Sequence, residues 1–137
     1  MADETILLID PDEAVGASVA GILEGEGYKV TTIRSLPLAV ELLSSSRFDL
    51  VMTEAFDQRR TFDFDPAYLS ALRSAAGRTP IILISTYVST DTIRAYEYGL
   101  ADAVPKPFEL NDLLEKVGEV LKKAGKTVDR ASQPKQK

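Results

Sequence analysis

Charged and hydroxyl side chains follow several of the short apolar runs of this sequence. Asp10 and Asp12 come after the first run, Glu54 after the third, Ser85 after the fourth and Lys106 after the fifth. If these runs form parallel strands, the residues that follow them gather beyond the carboxyl ends of the sheet, where ligand sites in such sheets lie. These side chains are therefore the candidate site.

Composition excludes several classes of function. The 137 residues include no cysteine and no histidine, which removes disulfides, thiolate zinc sites and Ser-His-Asp catalysis. The net charge of −5 argues against nucleic-acid binding by this domain. No apolar run approaches the roughly 20 residues needed to cross a membrane, and the start of the chain lacks the basic region of a signal peptide. We expect a cytoplasmic protein that binds neither nucleic acid nor membrane.

Apolar runs alternate with amphipathic stretches along the chain. The runs are nearly continuous, as expected of strands covered on both faces, and the stretches between them carry apolar residues at helical spacing. This alternation predicts a (βα)5 fold, a doubly wound parallel sheet with right-handed crossovers. The predicted strands are 5–9, 29–33, 50–52, 80–84 and 103–104. Of the five predicted helices, the first ends near Gly25 and Gly27, the second spans 35–43 and the third spans 65–76. The fourth starts at 90 or 91, and the fifth starts at 110.

The helical spacing also predicts which faces are buried. In the second helix, Leu36, Val40 and Leu43 fall on one face, and in the last helix an apolar stripe runs from Leu110 to Leu121. Residues 125–137 are rich in lysine and glutamine and poor in apolar side chains. The sequence therefore predicts a domain over 1–124 and a flexible tail or linker over 125–137, with a basic nucleic-acid arm as the less favoured interpretation.

Four segments resemble the receiver domains of response regulators in two-component signalling: 6–12, 48–54, 80–85 and 99–108. The last is the most specific, because a Gly-x-x-Asp turn and a Lys-Pro-Phe triplet precede an amphipathic helix. The resemblance covers residues 5–124. It implies the flavodoxin-like receiver fold with strand order 2-1-3-4-5.

The resemblance also implies a role for each candidate position. In this family, an aspartate after the third strand takes a phosphoryl group from a histidine kinase, and two acids after the first strand help to hold Mg²⁺. A Ser or Thr after the fourth strand and a Lys after the fifth hold the phosphoryl oxygens. The matching positions are Glu54 for the phospho-acceptor, Asp10 for the first metal-site acid, Ser85 for the hydroxyl and Lys106 for the cation.

The first strand end departs from the family pattern. Pro11 occupies the position of the second acid, and Asp12 could complete a metal set of Asp10, Asp12 and Glu54 from a different angle. The same residues also form a good helix start, with Asp10 as the cap, Pro11 in the first turn and Glu13 three residues after the cap. We favour capping over metal binding.

The acceptor position departs as well. Glutamate has one methylene more than aspartate, which moves its carboxylate by roughly 1 Å, and such a displacement can lower a rate on the order of 100-fold. In one interpretation Glu54 pairs with Lys106 and partly imitates an acylphosphate; Asp57 is a displaced acceptor in another, although a solvated loop acid is the simpler assignment. Thr86 stands where the family prefers a very small residue, and Ala103 stands where an aromatic residue often reports phosphorylation.

Two functions remain open. The first is a non-catalytic interaction module, which would bind a histidine kinase, another signalling protein or a second copy of itself through the face of the fourth helix, fifth strand and fifth helix. The second is a working receiver with Glu54 or Asp57 as acceptor and Mg²⁺ held by Asp10 and Asp12, whose only enzymatic activity would be its own phosphorylation and dephosphorylation. No resident cofactor is expected. A flavin-binding protein of similar topology is disfavoured, because the acids that follow the first strand would repel phosphate.

Overall fold

The computed structural model describes residues 4–54, 66–85, 99–105 and 109–132. Strands and helices alternate through most of this part of the chain, as the sequence pattern predicts. The fourth predicted helix and the loop that contains Asp57 lie outside the described residues. The described elements are β1 Thr5–Ile9, α1 Glu13–Gly25, β2 Lys29–Ile33, α2 Leu36–Ser45, β3 Leu50–Thr53, α3 Pro66–Ala76, β4 Ile81–Ser85, β5 Asp102–Pro105 and the carboxyl-terminal helix Leu110–Ser132.

The strands form one parallel sheet in the order β2-β1-β3-β4-β5, which confirms the predicted fold. The register pairs Ile9 with both Ile33 and Thr53 at the carboxyl ends of β1, β2 and β3. On the other side, Ser85 at the end of β4 pairs with Pro105 at the end of β5. The residues that follow these strands therefore start from one edge of the sheet.

The core has two layers because alternate strand residues point to opposite faces. Leu7 and Ile9 pack in the layer that contains α2 and α3, whereas Ile6 and Leu8 pack in the layer with α1 and the carboxyl-terminal helix. None of these four side chains is more than 1% exposed. Coverage on both faces explains why the strands read as nearly continuous apolar runs.

The predicted face of α2 was wrong at Val40, whose residue is 39% exposed, while Ala39 is fully buried. Ala39 belongs to the buried core on this side of the sheet, and Leu36, Leu42 and Leu43 are partly buried against the same core. Successive helical residues diverge by about 100°, so Val40 points away from the face that Ala39 occupies. Simple apolar spacing missed this because alanine can be the centre of a close helix–sheet contact.

The carboxyl-terminal helix differs from the prediction at its first residue. Leu110 is 52% exposed, so the buried stripe starts at Leu113 rather than at the first helical residue. The helix continues to Ser132, past residue 124 where the predicted domain boundary lies. The division into a domain over 1–124 and a tail over 125–137 stays a prediction. No helix among the described residues is long and apolar enough to cross a membrane.

Arg73 joins the end of α3 to the turn that leads into β5. Its Nη1 donates to the carbonyl of Gly99 over 3.2 Å, and its Nη2 donates to the carbonyls of Thr79, over 2.7 Å, and of Gly77. Gly77 and Gly99 have φ values of 62° and 78°, which favour glycine, and both lie in tight turns. Burial lowers the pKa of Arg73 from its ordinary value, and the fork of N–H donors suits several carbonyls at once.

We expect Arg73→Lys to lower the free energy of unfolding by about 1.5–3 kcal/mol, because one ammonium group cannot reproduce this fork and hydrogen bonds to charged groups are worth that much. Urea unfolding measures the change. Arg78→Lys makes the same substitution at a nearby exposed position and should be close to neutral. Equal stability of the two variants would refute the role assigned to Arg73.

Candidate functional site

Two acids follow adjacent strands at the carboxyl edge of the sheet. Asp10 and Glu54 come directly after Ile9 and Thr53, which are paired in register. The amide of Glu54 donates to the carbonyl of Ile9 over 3.2 Å, and the amide of Asp10 donates to the carbonyl of Ile33 over 3.1 Å. The backbone ladder therefore extends to both acids and holds them beside each other.

Both acids are buried. Among the described residues, the buried polar or charged ones are Asp10, Glu54 and Thr53, with exposures of 3%, 6% and 0%. All of them lie at this edge of β1 and β3. Burying an ionised carboxylate is costly unless hydrogen bonds or an opposite charge compensate, so buried acids concentrated at one place mark a site rather than ordinary core.

Thr53 connects Glu54 to α3. Its Oγ1 donates to the carbonyl of Glu54 over 2.9 Å and lies 2.7 Å from the hydroxyl of Tyr68. Tyr68 is 3% exposed, so this contact is shielded from water. Sequence reasoning assigned no role to either hydroxyl, because a tyrosine at a buried helical position is read as core packing.

The start of α1 corrects the predicted cap. Asp12, not Asp10, is the N-cap residue: its Oδ1 accepts from the amides of Ala14 over 3.0 Å and Val15 over 3.2 Å. Asp10 instead accepts the amide of Asp12 on Oδ1 over 2.9 Å. Pro11 precedes the cap and does not occupy the first helical turn. An aspartate of this segment caps α1 as predicted, but the predicted residue was wrong, and the preference for capping over metal binding stays a prediction.

Gly16 allows α1 to lie close to the site. It is buried, and a Cβ built at this position would be 3.7 Å from the Cβ of Asp10 and 3.1 Å from the Cγ2 of Thr32. The second distance is shorter than normal side-chain packing allows without a shift of Thr32. The missing side chain thus lets the first turns of α1 approach the end of β1.

The predicted metal set of Asp10, Asp12 and Glu54 is divided in the structure. Asp10 and Glu54 are adjacent, whereas the carboxylate of Asp12 caps α1. No group of three or more acids in the described ranges is placed to hold a metal ion. Asp10 and Glu54 are the members of the predicted set whose backbones adjoin at this edge, and the three-acid set stays a prediction.

The other half of the predicted site is described only through its backbone. Ser85 ends β4 at the same edge as the acids and pairs with Pro105, the residue before Lys106. Lys106, Thr86 and Asp57 lie outside the described residues. The pairing of Glu54 with Lys106 and the roles of the Ser85 hydroxyl and of Asp57 therefore stay predictions.

A family model agrees with this arrangement. The model described as "Response regulator receiver domain" matches residues 6–118, which is most of the chain. The chain belongs to the response regulator receiver domain family. Receiver domains are signalling modules of two-component systems that interact with kinases and other proteins, and they are not typically enzymes.

Known receiver-containing proteins resemble the chain over most of its length. It is 28% identical over 110 residues to nitrogen assimilation regulatory protein NtrX of Azorhizobium caulinodans, covering 80% of this chain and 24% of that protein. It is 28% identical over 120 residues to transcriptional regulatory protein CpxR of Escherichia coli K12, covering 87% of this chain and 50% of that protein. The receiver domain thus spans half or less of these relatives.

Solved structures show the same fold. The signal receiver domain of an HD domain-containing protein from Pseudomonas fluorescens Pf-5 superimposes with a TM-score of 0.80 at 22% identity, covering 95% of each chain. NtrX from Brucella abortus gives a TM-score of 0.84 at 23% identity, covering 96% of this chain and 30% of that one. At these identities the likeness establishes the receiver fold.

The cap at Asp12 can be separated from a metal role. We expect Asp12→Ala to lower the free energy of unfolding by about 1 kcal/mol, as loss of an N-cap does, and Asp12→Asn to be near neutral because the amide oxygen still accepts from Ala14 and Val15. Urea unfolding with and without Mg²⁺ measures both. Stabilisation by Mg²⁺ that disappears in Asp12→Asn would show instead that the Asp12 carboxylate binds the ion.

Proposed function

We propose that this receiver domain acts by protein–protein interaction in a two-component or phosphorelay system and is not efficiently phosphorylated. The observation that carries the proposal is that Glu54 is a buried glutamate directly after β3, where the family resemblance implies the acceptor. The remainder of the proposed site consists of Ser85 and Lys106, in the roles that the family resemblance implies.

Hydrogen bonds hold the backbone on both sides of the Glu54 side chain. Its amide is bonded to Ile9 and its carbonyl to Thr53, so both peptide groups of the residue are held. The extra methylene therefore shifts the carboxylate rather than the main chain. A shift of roughly 1 Å at a reacting group can lower a rate on the order of 100-fold, since phosphoryl transfer requires in-line geometry.

The residues that follow β1 also support the proposal, because they predict weak Mg²⁺ binding. Pro11 offers no carboxylate at the second acid position, and the carboxylate of Asp12 is engaged by the amides of α1. Asp10 is then the remaining candidate ligand after β1, and its Oδ1 already accepts the amide of Asp12. A site with fewer carboxylates neutralises less of the charge of Mg²⁺ and should bind it more weakly, which supports the proposal that Mg²⁺ is at most weakly used.

The proposed partners are a histidine kinase, another signalling protein or a second copy of the domain, bound through the fourth helix, fifth strand and fifth helix of the receiver fold. In the described part of this face, Lys116 Nζ lies 3.6 Å from Asp102 Oδ1 and joins the carboxyl-terminal helix to β5. This partly exposed ion pair lies on the proposed face. A cytoplasmic location without nucleic-acid or membrane binding completes the proposal.

The proposal is tested by incubating the domain with Mg²⁺ and acetyl phosphate, and separately with beryllofluoride, and measuring intact mass and NMR shifts. We expect no stoichiometric addition of a phosphoryl group and no saturable beryllofluoride shift. A receiver with aspartate at its acceptor position, treated in the same reaction, shows that the donor is active. Stoichiometric labelling would overturn the proposal, and peptide mapping would then distinguish Glu54 from Asp57.

A second experiment asks which departures disable the site. We expect Glu54→Asp alone to leave labelling by acetyl phosphate low, because Pro11 and Thr86 are unchanged. Labelling should rise when Pro11→Asp and Thr86→Ala are added to Glu54→Asp, since these restore a second acid and a small neighbour. Robust labelling of the single Glu54→Asp variant would show that the acceptor side chain is the only defect.

A further inference from the structure

The hydroxyls of Tyr68 and Thr53 form a hydrogen-bond chain with a fixed direction. A carbonyl oxygen can only accept, so Thr53 must donate its single hydroxyl proton to the carbonyl of Glu54. Thr53 Oγ1 then has only acceptor positions left for the contact of 2.7 Å with Tyr68. Tyr68 is therefore the donor, and the chain runs from Tyr68 through Thr53 to the backbone of Glu54.

The chain joins two elements that are separate in sequence. Thr53 is the last residue of β3 and Tyr68 lies in the first turn of α3, 15 positions later. Their bond therefore ties the strand that carries the acceptor position to the helix that follows it. A contact between the two ends of a connecting segment restricts the chain at the base of that segment.

Burial gives this contact its strength. Thr53 is 0% and Tyr68 is 3% exposed, so water does not compete for either hydroxyl. In a low-dielectric interior, linked hydrogen bonds polarise one another, and a buried polar group that loses its partner destabilises the fold. No buried side-chain nitrogen or oxygen in the described ranges lacks a hydrogen-bond partner, so these hydroxyls form part of a satisfied network.

We infer that Tyr68 is a positioning residue for Glu54: by donating to Thr53 it holds the Thr53 hydroxyl on the carbonyl of Glu54 and so fixes the peptide group that follows the acid. The inference rests on the proposed function only in treating Glu54 as the functional acid. It assigns to α3 a direct influence on the acceptor position.

A double-mutant cycle tests the energetic coupling. Tyr68→Phe should raise the unfolding equilibrium constant about 2- to 12-fold, the effect of losing one ordinary hydrogen bond. In a Thr53→Val background the same change should have a smaller effect, because the Thr53 hydroxyl that Tyr68 contacts is already absent. Tyr28→Phe, the same substitution at a half-buried position near β2, is the control. Its effect on the unfolding equilibrium constant should be the same in both backgrounds.

A spectroscopic measurement separates positioning from packing. We expect the backbone carbonyl carbon resonance of Glu54 to move in Thr53→Val, and to move in the same direction by a smaller amount in Tyr68→Phe. Thr53→Ser keeps the hydroxyl and should retain the wild-type resonance, as should Tyr28→Phe. All these variants are near-isosteric, so the folded state is available for measurement.

The inference is overturned if Tyr68→Phe leaves the Glu54 carbonyl resonance unchanged, whether or not stability falls, since Tyr68 would then only fill space. Additive effects of Tyr68→Phe and Thr53→Val would overturn it as well. The measurements use the unphosphorylated domain without Mg²⁺ or phosphodonor. Efficient phosphorylation of Glu54 would therefore defeat the proposed function and leave this inference standing.

Discussion

The register between β1 and β3 is the constraint on which the site depends. Pairing Ile9 with Thr53 places the next residues, Asp10 and Glu54, side by side at the edge of a sheet whose two faces are already covered. Asp10 and Glu54 are 3% and 6% exposed, so water has little access to either residue. Two acids in this setting repel each other and lose hydration, so the fold is stable only where backbone donors, hydroxyls or a cation compensate. A shift of one residue in either strand would turn one of these acids to the other face.

Competition for hydrogen-bond donors then decides what each acid can do. The N-terminus of α1 offers unsatisfied amides and the positive end of the helix dipole close to the end of β1, and Gly16 permits that approach. Asp12 takes two of those amides, and the amide of Asp12 in turn binds Asp10. A carboxylate used as a cap is a weaker candidate for metal binding, because withdrawing it would leave helix amides unsatisfied. The helix start and the predicted metal site thus depend on the same few acids.

The strands, the parallel sheet and the identities of the acids followed from the sequence because continuous apolar runs and the residues after them are local signals. The cap residue did not follow, since Asp10-Pro11-Asp12 permits a helix start at either aspartate. The choice is tertiary: the amide of Asp10 bonds to Ile33 and makes Asp10 a continuation of β1. The exposure of Val40 and the contact of Thr53 with Tyr68 could not be predicted from the sequence either, because each depends on how a helix is rotated against the sheet. The pairing of Glu54 with Lys106 depends on the side-chain geometry of Lys106, which lies outside the described residues.

The separation between core and edge explains how a receiver domain can change its chemistry and keep its fold. Both apolar layers lie along the length of the strands, and the Arg73 fork joins α3 to the turn before β5 through backbone carbonyls. None of these contacts involves the carboxylate of Glu54 or the second acid position. Under the proposed function, glutamate at position 54 and Pro11 therefore affect the transfer of a phosphoryl group far more than they affect folding. The hydrogen-bond chain from Tyr68 connects the core to the site. It starts on the packed face of α3 and ends on the backbone of Glu54.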